Sequence, residues 1–192
     1  MRSFILVAAI IVATTALQGC FPIVAAGVGA GALSAADRRS TGAQIDDQSI
    51  EVKISNRFKE QFGTAQYKVD VTSFNRRVLL TGEAANPEIK NKLTELAKSV
   101  AGVSGVTNEV ADSISHARTS DALVTSNVKS RFVTNNEGRF YPNHIKVVTE
   151  NSVVYLMGLV TQAEGDAAAE IARTSRGVQG VVKVFEYIDK TP

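Results

Sequence analysis

The sequence predicts an α+β fold made of two tandem domains of the same kind. Three stretches of the first half occur again in the second half: ISNRF (Ile54–Phe58) matches VKSRF, VLLTGEA (Val78–Ala84) matches VYLMGLV, and ELAKSVAGVSGV (Glu95–Val106) matches EIARTSRGVQGV. The offset between the copies stays between 74 and 76 residues. Solenoid repeats have periods of about 20 to 50 residues. A longer period therefore indicates two folded domains rather than a solenoid.

The first copy begins with a helix and continues with a β-hairpin. Ile50, Ile54, Phe58 and Phe62 recur every four residues, which places them on one face of a helix that starts near Asp47. Apolar and polar residues then alternate on both sides of a turn, which predicts two antiparallel strands. The alternating residues are Val69 and Val71 before the turn at Asn75 and Arg76, and Val78 and Leu80 after it, up to Gly82.

A second helix and a last strand complete the first copy. Asn86 is a suitable N-cap and Pro87 a suitable first-turn residue, and Gly102 is expected to end the helix. The apolar stripe between them has helical spacing. The stripe consists of Ile89, Leu93, Leu96, Ala97 and Val100, and the strand that follows begins with Val106, Asn108 and Val110.

The second copy repeats this order of elements. Its helix carries Val124, Val128 and Phe132, its strands lie near 145–150, 153–160 and 181–188, and its second helix lies near 164–175. Each copy is therefore expected to be an αββαβ unit, with two helices packed against one face of a small three-stranded mixed sheet. The predicted domains span residues 47–114 and 121–192, joined by a linker at 115–120.

The N-terminus has the features of an export signal. Arg2 supplies a positive start, and residues 4–17 are uncharged and mostly apolar. This run is shorter than the roughly 20 residues that span a bilayer, and extending it past Pro22 brings in three closely spaced glycines, which disfavour a helix. Residues 1–19 are therefore predicted to be a signal peptide, and 20–46, rich in Ala and Gly, a tether.

Cys20 is the only cysteine of the chain, so it cannot form an intrachain disulfide. A lone thiol is also a poor metal ligand, and the simplest alternative is a small buried hydrophobe. The sequence LQGC, Leu17–Cys20, resembles the bacterial lipobox. The resemblance implies cleavage before Cys20, a covalent diacylglycerol on its sulfur and an N-acyl chain, with no other cofactor. Phe21, in place of Asp, implies sorting to the outer membrane.

Composition and motifs argue against several function classes. The net charge of +2 creates no global field for nucleic acid. His116 and His144 belong to no metal or catalytic motif, so neither an enzyme nor a metal site is expected. Gly27, Gly29 and Ala32 have the spacing of a dinucleotide-binding loop, but the strand that should precede such a loop is missing.

The two copies resemble the BON domain, and two such domains behind a lipobox resemble the dual-BON outer-membrane lipoproteins. The resemblance rests on the strand that ends in Gly, the helix after it, and GVSGV or GVQGV before the last strand; RSTGAQIDD (Arg39–Asp47) and VTENSVVYLMGLVT (Val148–Thr161) support it. It implies an outer-membrane protein that faces the periplasm and binds anionic phospholipid of the phosphatidylglycerol or cardiolipin type. It also implies a role in outer-membrane integrity, including at division sites.

In this family the lipid surface is assigned to the first helix of the second copy. Leu123, Asn127, Lys129 and Arg131 are the corresponding candidates, although relatives commonly have tryptophan where this chain has Leu123. An apolar tip beside a cation suits a membrane interface. The competing interpretation is that Lys129 and Arg131 are merely solvated surface charges.

A second candidate patch follows that helix. Arg139, Phe140 and Tyr141 place a cation beside two aromatic rings, which also suits an interface and could replace the missing tryptophan. The alternative is that the two rings plug the edge of the sheet. The alternative function is a protein-interaction adaptor, in which both domains dock envelope proteins and the lipid only localises them.

Overall fold

The structure is a computed structural model that describes residues 37–63, 65–112 and 121–189. The predicted signal peptide, Cys20, the tether up to residue 36 and the linker at 115–120 lie outside the described residues. Those predictions therefore stay predictions.

The first domain consists of two helices and three strands in the predicted order. Each sheet strand except the last is eight residues long, and the last has four. In chain order the elements are α1 (Thr41–Phe62), β1 (Tyr67–Phe74), β2 (Arg77–Ala84), α2 (Pro87–Lys98) and β3 (Gly105–Asn108).

The second domain repeats this order, with one additional 3₁₀ turn at Pro142–His144 ahead of its first strand. The helix after the hairpin begins with a capping box, because Thr161 and Glu164 satisfy each other's backbone amides. The elements are α3 (Asp121–Thr134), β4 (Ile145–Glu150), β5 (Val153–Val160), α4 (Gln162–Arg173) and β6 (Gly180–Tyr187).

Both sheets have the same topology, which confirms the αββαβ unit and the mixed sheet. The first two strands pair antiparallel, and the third strand joins the middle one in parallel, giving the orders β1-β2-β3 and β4-β5-β6. The hairpin turns are Asn75–Arg76 and Asn151–Ser152, and all four residues have positive φ. Two consecutive left-handed residues are typical of the tight turns that match strand twist.

Two boundaries in the first domain differ from the prediction. Helix α1 begins at Thr41 rather than near Asp47, because the Ser40 side chain accepts a hydrogen bond from the Ala43 amide and caps the helix earlier. Strand β3 ends at Asn108, and only an isolated bridge between Glu83 and Ala111 continues the pairing. The Asn108 side chain bonds to the Val110 amide instead, which ends the regular strand.

The glycine shared by both hairpins, Gly82 and Gly158, is required by close backbone approach. A Cβ atom at Gly82 would collide with the Lys68 carbonyl oxygen, and Gly82 also has a φ of 115°. A Cβ at Gly158 would lie 2.5 Å from the His144 carbonyl oxygen. The same residue is therefore needed at the same place in each copy.

Each domain has its own hydrophobic core between its helices and one face of its sheet. The alternation predicted from the sequence holds, since Val78 and Leu80 face the core in the first domain and Val154 and Leu156 in the second. Phe58 and Phe132, at matching positions of the first helices, are the largest fully buried side chains.

The opposite faces of the two sheets pack against each other. A third cluster of buried residues draws from both domains, so the order of layers is helices, sheet, sheet, helices. The sequence predicts helices on one face of each sheet and does not assign the other face. The residues of this seam are Phe74, Leu79, Tyr155, Met157 and Val184.

Candidate membrane-contact surface

Helix α3 is fixed on two sides, which leaves one face outward. Val124, Val128 and Phe132 point into the core of the second domain. At the N-terminus of the helix, the Asp121 carboxylate accepts hydrogen bonds from the amides of Asn151 (3.0 Å) and Ser152 (2.8 Å). These bonds tie the start of the helix to the β4–β5 turn, so the direction of the outer face is set by the sheet.

The outer face of α3 carries two exposed apolar side chains. Leu123 is 66% and Val133 69% exposed, which are large fractions for aliphatic residues. A shallow depression of about 510 Å³ lies along the same face. It is lined mainly by small and polar residues: Ala122, Thr125, Ser126, Lys129, Ser130 and Val133.

Lys129 is the cation of this face. It lines the depression beside Val133, and its side chain is exposed. Within the residues that the structure describes, Lys129 has no ion pair. Its ammonium group is therefore available to an anion beside an apolar side chain.

Arg131 and Asn127 have local partners. One Arg131 nitrogen, Nη1, donates to the Ile171 carbonyl oxygen and to the hydroxyls of Thr174 and Ser175, each at 3.0 Å. These acceptors lie at the C-terminal end of α4, where a cation is favoured by the helix dipole. Asn127 donates to the Arg176 carbonyl at 3.3 Å. Arg131 thus links two helices, and its charge is already used.

The matching arginine of the first copy has the same role. Arg57 donates to the Ser99 hydroxyl at the end of α2, as Arg131 does to Thr174 at the end of α4. Because both copies keep this arginine, the sequence alone could have indicated a structural role.

The second candidate patch is divided by the structure. Phe140 is only 4% exposed and packs edge-on against Phe132, with ring centroids 5.1 Å apart. This burial corrects its assignment to a surface patch, because the ring belongs to the core of the second domain. Tyr141 is 66% exposed and contacts the His144 ring at 5.3 Å. Of the two rings, only Tyr141 is exposed.

Arg139 mainly holds its own loop together. Its guanidinium donates to the carbonyl oxygens of Asn136 (3.1 Å) and Asn135 (3.4 Å). It also forms an ion pair of 3.4 Å with Glu170, in which both side chains are well exposed. Such a pair contributes little to stability, so Arg139 retains the freedom to meet another anion.

The N-terminal end of the α3 surface is acidic. Burial raises the pKa of Glu150 above its ordinary value, and the nearby charges of Asp121 and Asp70 raise it further. An anionic surface is therefore disfavoured close to Asp121 and better accepted near Lys129 and Val133.

Metal sites and membrane-spanning helices are two further features to consider. In residues 37–63, 65–112 and 121–189, no group of three or more His, Cys, Asp or Glu side chains is placed to hold a metal ion. Across these same ranges, no helix is both long and apolar enough to cross a membrane.

Comparison with known proteins decides the family. The model of the BON domain matches the chain twice, at residues 46–111 and 120–189. The chain belongs to the BON-domain family. The two matches coincide with the two αββαβ domains of the structure, which we call BON1 and BON2.

Two curated relatives extend this result over most of the chain. The outer membrane lipoprotein DolP of Haemophilus influenzae is 43% identical over 181 residues, covering 92% of this chain and 93% of the relative. The 21 kDa hemolysin of Actinobacillus pleuropneumoniae is 35% identical and covers 79% of both chains. The protein is thus a dual-BON member of the DolP family and a lipid-anchored protein of the outer membrane.

A similarity to a solved structure adds nothing to this assignment. CdsD, a structural protein of the type III secretion system of Chlamydia trachomatis, covers 76% of this chain and 92% of its own, with 13% identity and a TM-score of 0.30. A TM-score this low does not establish a common fold. The relatives are named as a lipoprotein and a hemolysin rather than as enzymes.

Proposed function

We propose that this lipid-anchored envelope protein binds anionic phospholipid through the outer face of α3 in BON2, without catalysis, and thereby supports outer-membrane integrity, including at division sites. Cys20 carries the diacylglycerol and the N-acyl chain in this proposal, and the domains face the periplasm. The observation that carries it is the exposed pair Leu123 and Val133, with Lys129 beside Val133.

The first copy supports the proposal as an internal comparison. At the offset of 74 residues, the positions of Leu123, Lys129 and Val133 correspond to Ser49, Ser55 and Lys59 in α1. The core residues match between the copies, but these outer residues do not. The residue types at these three positions of α3 are therefore not a requirement of the fold, although α1 has an exposed apolar residue of its own, Val52.

Charge limits the strength expected of this contact. The described part of BON2 contains both acids and bases in similar number, and the acidic end near Asp121 opposes an anionic membrane. A tethered domain, however, has a high effective concentration at the bilayer, so a weak contact suffices. Cys20 is accordingly the residue whose replacement should weaken membrane association most.

The test uses the absence of tryptophan from the chain. The protein is prepared from Phe21 onward, without the lipid anchor but with both cores intact, and carries Leu123→Trp or Val133→Trp. Each variant is titrated at low salt with phosphatidylglycerol vesicles and, separately, with phosphatidylcholine vesicles. We expect the emission to shift to shorter wavelength with phosphatidylglycerol only, because the indole enters the headgroup region.

Val52→Trp is the matched control. Val52 lies on the outer face of α1 in BON1 and is 59% exposed, similar to Leu123. Its emission should not change with either lipid. A second variant, Lys129→Gln in the Leu123→Trp background, should weaken the response to phosphatidylglycerol. If the two α3 tryptophans respond no more than the Val52 position, direct lipid binding by α3 is excluded.

The alternative is an adaptor that docks another envelope protein on the same face. Ala122, Ser126 and Ser130 follow one another at intervals of four residues in the depression, and small side chains allow a partner helix to approach closely. Photo-crosslinking from position 130 in cells distinguishes the two functions. A stoichiometric protein adduct, together with no response to vesicles, would favour the adaptor.

A further inference from the structure

The four residues that directly precede α1 are Asp37–Ser40, and they contact both BON domains. Arg38 reaches BON2, where its two terminal nitrogens bind the Glu164 carboxylate at 2.8 and 2.9 Å. Nη1 also donates to the Leu159 carbonyl oxygen at 2.9 Å. The side chains of Arg38 and Glu164 are only 5% and 9% exposed. A residue that precedes BON1 is thus bound into BON2 by a buried, bidentate ion pair.

The next residue, Arg39, holds the opposite domain. Its Nη1 donates to Asp47 of α1 at 2.9 Å, and its guanidinium lies 3.9 Å from the centroid of the Phe74 ring. Asp37 accepts hydrogen bonds from the Arg39 amide and side chain, which fixes the backbone between the two arginines. The adjacent residues Arg38 and Arg39 therefore bind to BON2 and BON1, respectively.

Apart from this segment, the seam between the sheets contains both apolar contacts and buried polar groups. Its apolar cluster contains residues of both domains, but Thr72, Thr81 and Glu83 of the first sheet are buried as well. Glu83 is 4% exposed, and its Oε2 atom has no hydrogen-bond partner among the described residues. Burying a carboxylate oxygen without a partner is unfavourable. Part of the seam therefore opposes the packing of the domains.

Other polar links across the seam are more exposed. Lys146 forms an ion pair of 3.3 Å with Glu51, with side chains 41% and 30% exposed. Asn75 donates to Glu186 at 2.9 Å at a partly buried position. Solvent screening weakens contacts of this kind. The Arg38–Glu164 pair is the most buried ion pair among the described residues.

We propose that Asp37–Ser40 is a strap whose docking decides whether BON1 and BON2 move as one body. Each domain has a separate core, so release of the strap frees the domains from each other without unfolding either. The strap directly precedes α1 and lies within the C-terminal half of the predicted tether, 20–46. Strain on the lipid anchor therefore reaches the Arg38–Glu164 pair before it reaches either core. The proposal does not rest on lipid binding by α3.

The test measures the distance between the domains. The chain from Phe21 onward has no cysteine, so Lys92→Cys in BON1 and Glu170→Cys in BON2 give two specific spin-label sites. Both side chains are more than half exposed. Double electron–electron resonance should give one narrow distance peak. With Arg38→Gln added, we expect the single narrow peak to be lost while the circular dichroism spectrum stays that of the folded protein.

Two further variants make the result decisive. Arg38→Gln with Glu164→Gln leaves no unpaired buried charge and keeps a residue suited to the capping box, so it is used if Arg38→Gln fails to fold. Arg173→Gln removes an exposed arginine from the same helix as Glu164 and should leave the peak unchanged. A narrow, unshifted peak in a folded strap variant overturns the proposal, because the sheet faces alone would then fix the domains.

Discussion

Replacing Asp47 by alanine should destabilise BON1 more than any other single change of a polar residue in that domain. Asp47 is 3% exposed and lies inside α1. Its carboxylate accepts bonds from the Ser73 hydroxyl (2.7 Å), the amides of Asn75 (2.9 Å) and Arg76 (2.7 Å), and Arg39 (2.9 Å). One side chain thus holds the β1–β2 turn, the strap and the helix together.

The size of the effect follows from what the substitution leaves behind. Two of the four donors are backbone amides in a turn whose residues have φ values of 51° and 63°. A hydrogen bond to a charged group contributes about 1.5–3 kcal/mol, but water entering the site recovers part of the loss, so the four terms do not add. We expect a cost of roughly 3–5 kcal/mol, in the range found for breaking a buried charged network.

Asp121→Ala is the matched comparison in BON2. Asp121 occupies the equivalent position and accepts from the amides of the equivalent turn, Asn151 and Ser152, at 3.0 and 2.8 Å. Asp121 is less buried than Asp47, so we expect the smaller cost of about 1–2 kcal/mol. Both variants are unfolded with urea, following circular dichroism, in the chain from Phe21 onward.

Either of two results would contradict this prediction. An Asp47→Ala cost equal to or below that of Asp121→Ala would show that the number and burial of the bonds do not set the stability. A normal cost with an unchanged hairpin, seen as unaltered amide shifts at Asn75 and Arg76, would show that the carboxylate does not hold the turn.

Two carboxylates give opposite pH dependences. Burial and the charges of Asp121 and Asp70 raise the pKa of Glu150, so the folded state binds a proton at this carboxylate more tightly than the unfolded state does. The stability of the protein should therefore rise as the pH falls from 7 towards the ordinary pKa of 4.5. Glu150→Gln should remove that rise, as measured by urea unfolding. The hydrogen bonds from Arg38 lower the pKa of Glu164 to about 2, so its contribution is present above pH 4.5 and is lost as the pH falls towards 2. The pH-dependent part of the cost of Glu164→Gln should therefore be roughly 3 kcal/mol at pH 7, and a difference from wild type that persists undiminished at pH 2 would contradict this origin.

The order of elements was predictable because both periodicities are strong in this chain. The helical stripe of Ile50, Ile54 and Phe58 and the alternation of Val78 and Leu80 each mark one buried face. The start of α1 was not predictable from that signal, since residues 41–46 carry no apolar stripe. Its start depends instead on the Ser40 cap, a single short polar residue among several.

The packing of one sheet on the other is indicated in the sequence by continuous apolar runs, which an analysis of alternation alone does not detect. Val78, Leu79 and Leu80 are consecutive apolar residues, and Val154–Met157 are four more, whereas a strand buried on one face only should alternate. In the structure Leu79 and Tyr155 lie in the seam, while their neighbours lie in the domain cores. Continuous apolar strands in both copies thus indicate that each sheet is covered on both faces.

The candidate site shows why residue type alone was insufficient. Arg131 and Lys129 are both cations on the same helix, yet Arg131 caps α4 and Lys129 faces outward. Phe140 and Tyr141 are adjacent aromatics, yet one is in the core and the other in solvent. The direction in which a side chain points, which depends on the neighbouring elements, decides between the structural and the binding role.

Comparing matching positions of the two copies distinguishes structural residues from binding residues better than either copy does alone. A position that serves the fold is needed twice, as with Gly82 and Gly158, or Asp47 and Asp121. A position that serves a site in one domain is free to differ, and Leu123 differs from Ser49 in polarity and size. The two copies have kept one fold, while Leu123, Lys129 and Val133 of BON2 correspond to residues of different chemical character in BON1.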